Sequence, residues 1–272
     1  MPIRFLLFYF IFSLFTLWQV PIYAQILNAE RYSSTDTAID KKVDFTFGAS
    51  LSFDKQTKNL ADVNFNSELS RYLIKNKYIL IGLFNADLTT NGHEIIQNAG
   101  FVHFRLRDNN QRKLFPEVFT QYQWNGNLGL LSRFLYGSNV RWLLVQNPES
   151  IFSVGYGLFE ERENWSYSKE VLKNGMLVKE DVISQFNRIK SNHYIKYVYN
   201  IDSKISFSNS VFYQARFQSY TLGRITADTK FIVNAGKRLL LSLGFNFIYD
   251  FQPVAPIDHF YYGFRQAMNF VF

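Results

Sequence analysis

The sequence predicts an all-β fold: a transmembrane antiparallel up-and-down β-barrel of about 12 strands. Three observations predict it. Apolar and polar residues alternate with a period of two along most of the chain. Phe and Tyr are abundant, at 29 and 17 of 272 residues, yet the mean hydropathy is only −0.11. The chain also opens with an export-like segment and ends on an aromatic residue.

Arg4 is the only charge before the run Phe5 to Trp18, which spans about fourteen residues and is shorter than the roughly twenty needed to cross a bilayer as a helix. Pro21 follows, and Ala24 offers a small residue for cleavage before Gln25. Residues 1–24 are therefore expected to be a cleaved signal peptide, 25–41 a polar periplasmic leader and 42–272 the barrel. The chain has no Cys, which excludes disulfides, thiolate metal sites and lipid acylation of a cysteine. The net charge of +7 comes from Lys and Arg scattered along the chain, with no dense basic block, so nucleic acid is not an expected partner.

In a strand, successive side chains point to opposite faces, so a barrel in lipid reads as apolar outward and polar or small inward. Val43, Phe45, Phe47, Ala49, Leu51 and Phe53 share one face, against Asp44, Thr46, Gly48, Ser50, Ser52 and Asp54. The pattern recurs near 61–73, 96–107, 117–124 and 131–144, then near 152–158, 189–199, 207–217, 225–233, 239–250 and 262–272. The segment 78–88 is apolar on both faces, so periodicity does not orient it. Together these give twelve candidate strands, and an even number closes a sheet with both termini at one end. The stretch 161–185 reads as a long outer loop, 251–258 as a second outer connection, and 74–77, 200–204 and 235–238 as short periplasmic turns. A soluble sandwich or lipocalin-like barrel shows the same alternation with the apolar face turned inward, so a soluble periplasmic binding protein is the structural alternative.

A charge facing lipid at the midplane costs about 2–4 kcal/mol, which directs the polar faces into the lumen. The expected lumen-lining residues are Arg105, Arg133, Arg141, Arg188, Lys196 and Arg216, with Asp62, Glu68, Glu117 and Asp228 among the carboxylates facing them. Paired, these residues fill the barrel; unpaired, the arginines line a narrow anion-preferring pore. His103 shares a face with Arg105 and Arg107, where an anion site and simple ion pairing compete. Trp165, Tyr167, Lys169, Lys173 and Lys179 in the 161–185 segment are candidates for contact with lipopolysaccharide, set against a plain solvated cap.

The chain ends Met268-Asn269-Phe270-Val271-Phe272. Phe272, Phe270 and Met268 at alternate positions resemble the signal read by bacterial barrel-assembly machinery, with Gln266 departing from the pattern. A second resemblance rests on VNFNSELSRY at 63–72, PEVFTQYQWN at 116–125 and LSRFLYGSNVRWLL at 131–144, joined by Glu160, Glu161 and Arg188. These stretches resemble the domain-of-unknown-function family of salt-induced outer-membrane proteins, which implies an outer-membrane barrel with no established catalytic activity.

The expected function is a non-enzymatic, monomeric outer-membrane barrel without cofactors, surrounded by lipid and lipopolysaccharide and serving envelope integrity or passive small-solute passage. A lipid-modifying barrel enzyme is the catalytic alternative. It would need a Ser nucleophile beside a His base, and Ser191-Asn192-His193 is the segment that offers them.

Overall fold

The computed structural model describes residues 43–55, 59–109, 113–173, 176–236 and 239–271. The expected signal peptide, the polar leader and Phe272 lie outside the described residues.

Twelve strands follow one another: β1 (Val43–Lys55), β2 (Asn59–Leu73), β3 (Tyr78–Asn91), β4 (Glu94–Asp108), β5 (Leu114–Asn125), β6 (Leu130–Gln146), β7 (Ser150–Lys173), β8 (Met176–Asn200), β9 (Ile205–Arg216), β10 (Ser219–Asn234), β11 (Leu239–Asp250) and β12 (Phe260–Val271). Each pairs antiparallel with its sequence neighbours, and β12 returns to β1 through Thr46↔Val271 and Phe47↔Phe270, so the sheet is a closed barrel. Closure removes the open edges that hydrocarbon does not tolerate. Both ends of the described chain meet at one end of the barrel, here the near end; the opposite end is the far end.

Register fixes which face each residue takes. Phe45↔Leu69, Leu69↔Gly82 and Gly82↔Phe104 share the outer face, as do Leu243↔Gln266 and Phe245↔Phe264. The outer face is a belt of exposed Phe53, Phe65, Phe84, Val118, Val140, Ile195, Phe245 and Phe264. A soluble barrel would bury these residues; here the polar residues are buried and the large apolar ones exposed, as lipid requires. The belt also settles β3: Ile79, Ile81 and Leu83 are buried inward with Phe101, and Phe84 and Leu88 face out.

Aromatic pairs rim the belt, where rings with a polar edge sit at the headgroup level. Tyr122–Trp124 (6.1 Å), Phe134–Tyr136 (5.9 Å), Tyr213–Tyr220 (5.6 Å) and Phe260–Tyr262 (5.9 Å) lie toward the far end. Phe152–Tyr197 (6.4 Å) and Tyr197–Tyr199 (6.3 Å) lie toward the near end.

The strands correct the expected pattern of connections. The stretch 161–185 is not a loop: it forms the upper parts of β7 and β8, which run 24 and 25 residues and pair continuously from Ser150↔Tyr199 to Lys173↔Met176. Above Leu158 the outward face of β7 turns polar at Glu160, Arg162 and Asn164, so the hairpin leaves the apolar belt and rises beyond it. Trp165, expected in a surface loop, is 1% exposed and points inward. Lys169 lies across from Glu180 and Lys179 across from Glu170, so opposite charges face each other along the upper hairpin. Most far-end connections are short: β3 and β4 join through two residues, with Gly92 at φ 65°, a left-handed angle that favours glycine. The exception is 251–259 between β11 and β12.

Candidate functional site

The lumen is filled unevenly. On β4 to β11 most inward positions are buried, including polar ones: His103, Glu117, Gln121, Gln123, Arg133, Arg141, Ser153, Glu161, Glu163, Lys190, Lys196, Ser210, Arg224, Asp228, Asn246 and Asp250. On β1 to β3 the upper inward wall stays accessible. Ser50, Ser52 and Asp62 are exposed, and Asn64, Asn66, Asp87 and Thr89 are half-buried. Register places six of them in two adjacent rows (Ser50↔Asn64↔Asp87 and Ser52↔Asp62↔Thr89), with Asn66 in the next row, between Gly48 and Asn85. Asp62 accepts a hydrogen bond from the Thr89 hydroxyl at 3.0 Å, and Asn64 donates to Asp87.

A charge network fills the opposite side. Arg133 Nε donates to Glu161 Oε1 at 2.6 Å and lies 3.3 Å from Glu163 Oε1. Its NH1 reaches Gln123 Oε1 at 3.3 Å. Gln123 accepts from Gln121 at 2.6 Å, and Gln121 Oε1 meets His103 Nδ1 at 3.0 Å. Lys190 pairs with the other oxygen of Glu161. Arg188 NH1 stands 4.0 Å from Glu163, whose Oε2 also accepts from the Trp165 indole at 3.3 Å. On the next strands Arg224 grips Asp250 through Nε at 2.9 Å and NH2 at 2.8 Å. Buried charges are tolerated only when paired and hydrogen-bonded in this manner.

Nearer the opposite end, the Tyr194 hydroxyl donates to Glu117 at 3.2 Å, and Asn192 donates to Asn139 at 3.1 Å. The Tyr194 ring lies over Gly155, where a Cβ would collide with it, so the ring can lean across the lumen.

The far mouth is covered by the 251–259 connection. Its Ala255 is 3% exposed and packs in one cluster with Leu130 of β6, Trp165 of β7 and Ile248 of β11; Val254 and Ile257 pack around them. The connection starts on one side of the barrel and buries its apolar residues against strands on the other. It is thus a lid folded into the mouth, not an exposed loop.

All the expected lumen residues take the inward register. Arg133, Arg141, Lys196, Glu68, Glu117 and Asp228 are buried, Arg105, Arg188 and Arg216 are half-buried, and Asp62 is exposed. The structure joins Arg133 and Arg188 through the carboxylates of Glu161 and Glu163. Arg141 lies toward the near end, apart from Arg133. Sequence reading missed Glu163 and Trp165 as lumenal groups because their strand alternates between two polar faces there. Of the terminal residues, Met268 is on the exposed outer face, and Phe270 pairs across from Phe47 and Leu239.

The candidate catalytic pair is not brought together. Ser191 and His193 both take the outward register, but the Ser191 hydroxyl donates to the Ala215 carbonyl at 3.3 Å. His193 packs against Tyr156 in a tilted arrangement, with ring centroids 4.8 Å apart, and its Nε2 meets the Tyr220 hydroxyl. His193 thus belongs to the aromatic rim, and Ser191 is bonded to the backbone of the neighbouring strand.

An apolar exterior, a polar interior and a closed antiparallel sheet define a transmembrane β-barrel of the outer-membrane type. No protein-family model matches the chain, and no curated protein matches it. Among solved structures it is similar to the NanC porin, with a TM-score of 0.42 and 9% identity over 84% of this chain and 97% of that one. It is similar to the beta domain of the Bordetella autotransporter Brka, with a TM-score of 0.44 and 8% identity over 85% and 99%. The CymD monoaromatic hydrocarbon channel gives 0.36 and 8% over 92% and 93%. Likeness at this level concerns the barrel fold alone.

Proposed function

We propose that the protein is a bacterial outer-membrane barrel that passes small polar solutes passively along the β1–β3 wall. The observation that carries this reading is the uneven lumen: Ser50, Ser52 and Asp62 are exposed on the upper inner face of β1 and β2, whereas the inward Glu161, Lys190 and Arg224 of β7, β8 and β10 are buried. A path beside a filled half-barrel is narrow, and its serine, amide and carboxylate lining suits hydrated solutes over apolar ones. The resemblance of residues 63–72, 116–125 and 131–144 to salt-induced outer-membrane proteins supports an accompanying role in envelope integrity. The alternating apolar residues at Met268 and Phe270 support recognition of β12, with Phe272, by the barrel-assembly machinery.

Single-channel recording in a planar bilayer tests the proposal. The expected result is small, discrete conductance steps. A silent bilayer, with the folded barrel verified by heat-modifiable gel mobility, overturns passage and leaves a sealed envelope protein.

A further inference from the structure

We propose that the far mouth holds a binding site for a small oxyanion, a phosphate or a carboxylate, between Arg188, Arg216 and Arg224. The inference goes beyond passage and stands whether or not the barrel conducts.

Arg133, Arg188, Lys190, Arg216 and Arg224 share the upper lumen with Glu161, Glu163 and Asp250, so cations outnumber carboxylates. The carboxylates are committed. Glu161 is held between Arg133 and Lys190, Glu163 is shared by Arg133, Arg188 and the Trp165 indole, and Asp250 is gripped by Arg224. Arg216 makes no hydrogen bond or ion pair among the described residues, and it acts on Arg188 as a like charge, together with Arg224.

Geometry brings these cations together. Arg188 and Lys190 are successive inward residues of β8; Arg216 sits directly across from Lys190; and Arg224 lies across from Gln214, the inward residue of β9 next to Arg216. Two guanidinium nitrogens in this group are buried without a hydrogen-bond partner: NH1 of Arg188, which stands 4.0 Å from Glu163 in a loose ion pair, and NH1 of Arg224, a residue only 4% exposed. Like charges gathered in a poorly solvated site repel, and buried donors left unmade are costly, so the site favours a counter-anion that accepts from several guanidinium groups at once. Arg188 is further held over the Phe186 ring at 4.2 Å, which fixes the direction of its fork. All three arginines face inward, so an anion meets them only from within the lumen and a lipid headgroup outside the barrel does not.

Isothermal titration of the barrel in neutral detergent with inorganic phosphate, at low chloride, tests this. One phosphate per barrel is expected, with affinity falling at least about ten-fold in Arg216→Gln and in Arg188→Gln. Binding should be unchanged in Lys75→Gln, in a near-end turn. Arg216 carries no ion pair, so its replacement is expected to fold, as heat-modifiable mobility would verify. Absence of phosphate binding, or binding that survives both arginine replacements, overturns the site. A barrel that binds phosphate but never conducts keeps the site and removes passage.

Discussion

Replacing Glu161 by Ala is expected to destabilise the barrel by about 3–5 kcal/mol, among the largest effects of any single lumenal change. Glu161 is 1% exposed and holds both Arg133 and Lys190. Without it, two buried cations lose their shared counter-charge, and the remaining carboxylate within reach of Arg133, Glu163, is already divided with Arg188. Urea unfolding in lipid vesicles, followed by tryptophan fluorescence, reads the loss as a shift of the midpoint. The double change Arg133→Met with Glu161→Leu should lose less than the two single changes summed, since removing both partners leaves fewer charges stranded. A Glu161→Ala barrel as stable as the parent would mean that the network is hydrated and that the lumen is open where the structure has it filled.

The second large effect concerns the lid. Replacing residues 253–258 by a short Gly-Ser link removes Ala255 from its contacts with Leu130, Trp165 and Ile248. The far mouth then opens, and single-channel conductance is expected to rise severalfold, with the strands themselves intact because β11 and β12 pair down to Tyr249↔Phe260 without help from the lid. Unchanged conductance would place the narrowest point lower in the barrel, where Glu68, Ser70 and Asn85 are buried beneath the accessible upper wall.

The two effects fall on different parts of what sequence could reveal. All strands but β3 were legible with their faces assigned because lipid imposes one rule on every outward residue of the belt, and that rule writes a period of two into the chain. Where the belt stops, the rule stops. On β7 the outward Glu160, Arg162 and Asn164 alternate with the inward Glu161, Glu163 and Trp165, and polar beside polar carries no periodicity. The sequence there therefore reads as a loop. The segment 78–88 failed for the opposite reason: Ile79, Ile81 and Leu83 build an apolar patch inside the lumen, so both faces of β3 are apolar. The arginines of the lumen were legible one by one, since no other face tolerates them. Their partners were not, because pairing Arg133 with Glu161 needs the register between β6 and β7, 28 positions apart in sequence. In the lid, the apolar Val254, Ala255 and Ile257 set among Pro253 and Pro256 were the available signal that this connection is buried.

The uneven lumen is the central claim, and a chain without cysteine allows it to be tested directly. Single Ser→Cys replacements change one atom and leave the backbone undisturbed. Cysteines at Ser50 and Ser52, on the accessible wall, should react with a membrane-impermeant maleimide in the folded, membrane-inserted protein. Cysteines at Ser153 and Ser210, which are 0% and 3% exposed inside the filled half, should stay unlabelled until the barrel is unfolded. Equal labelling at all four positions would contradict the account by showing a uniformly open lumen, and labelling at none would contradict it by showing a lumen filled on every side.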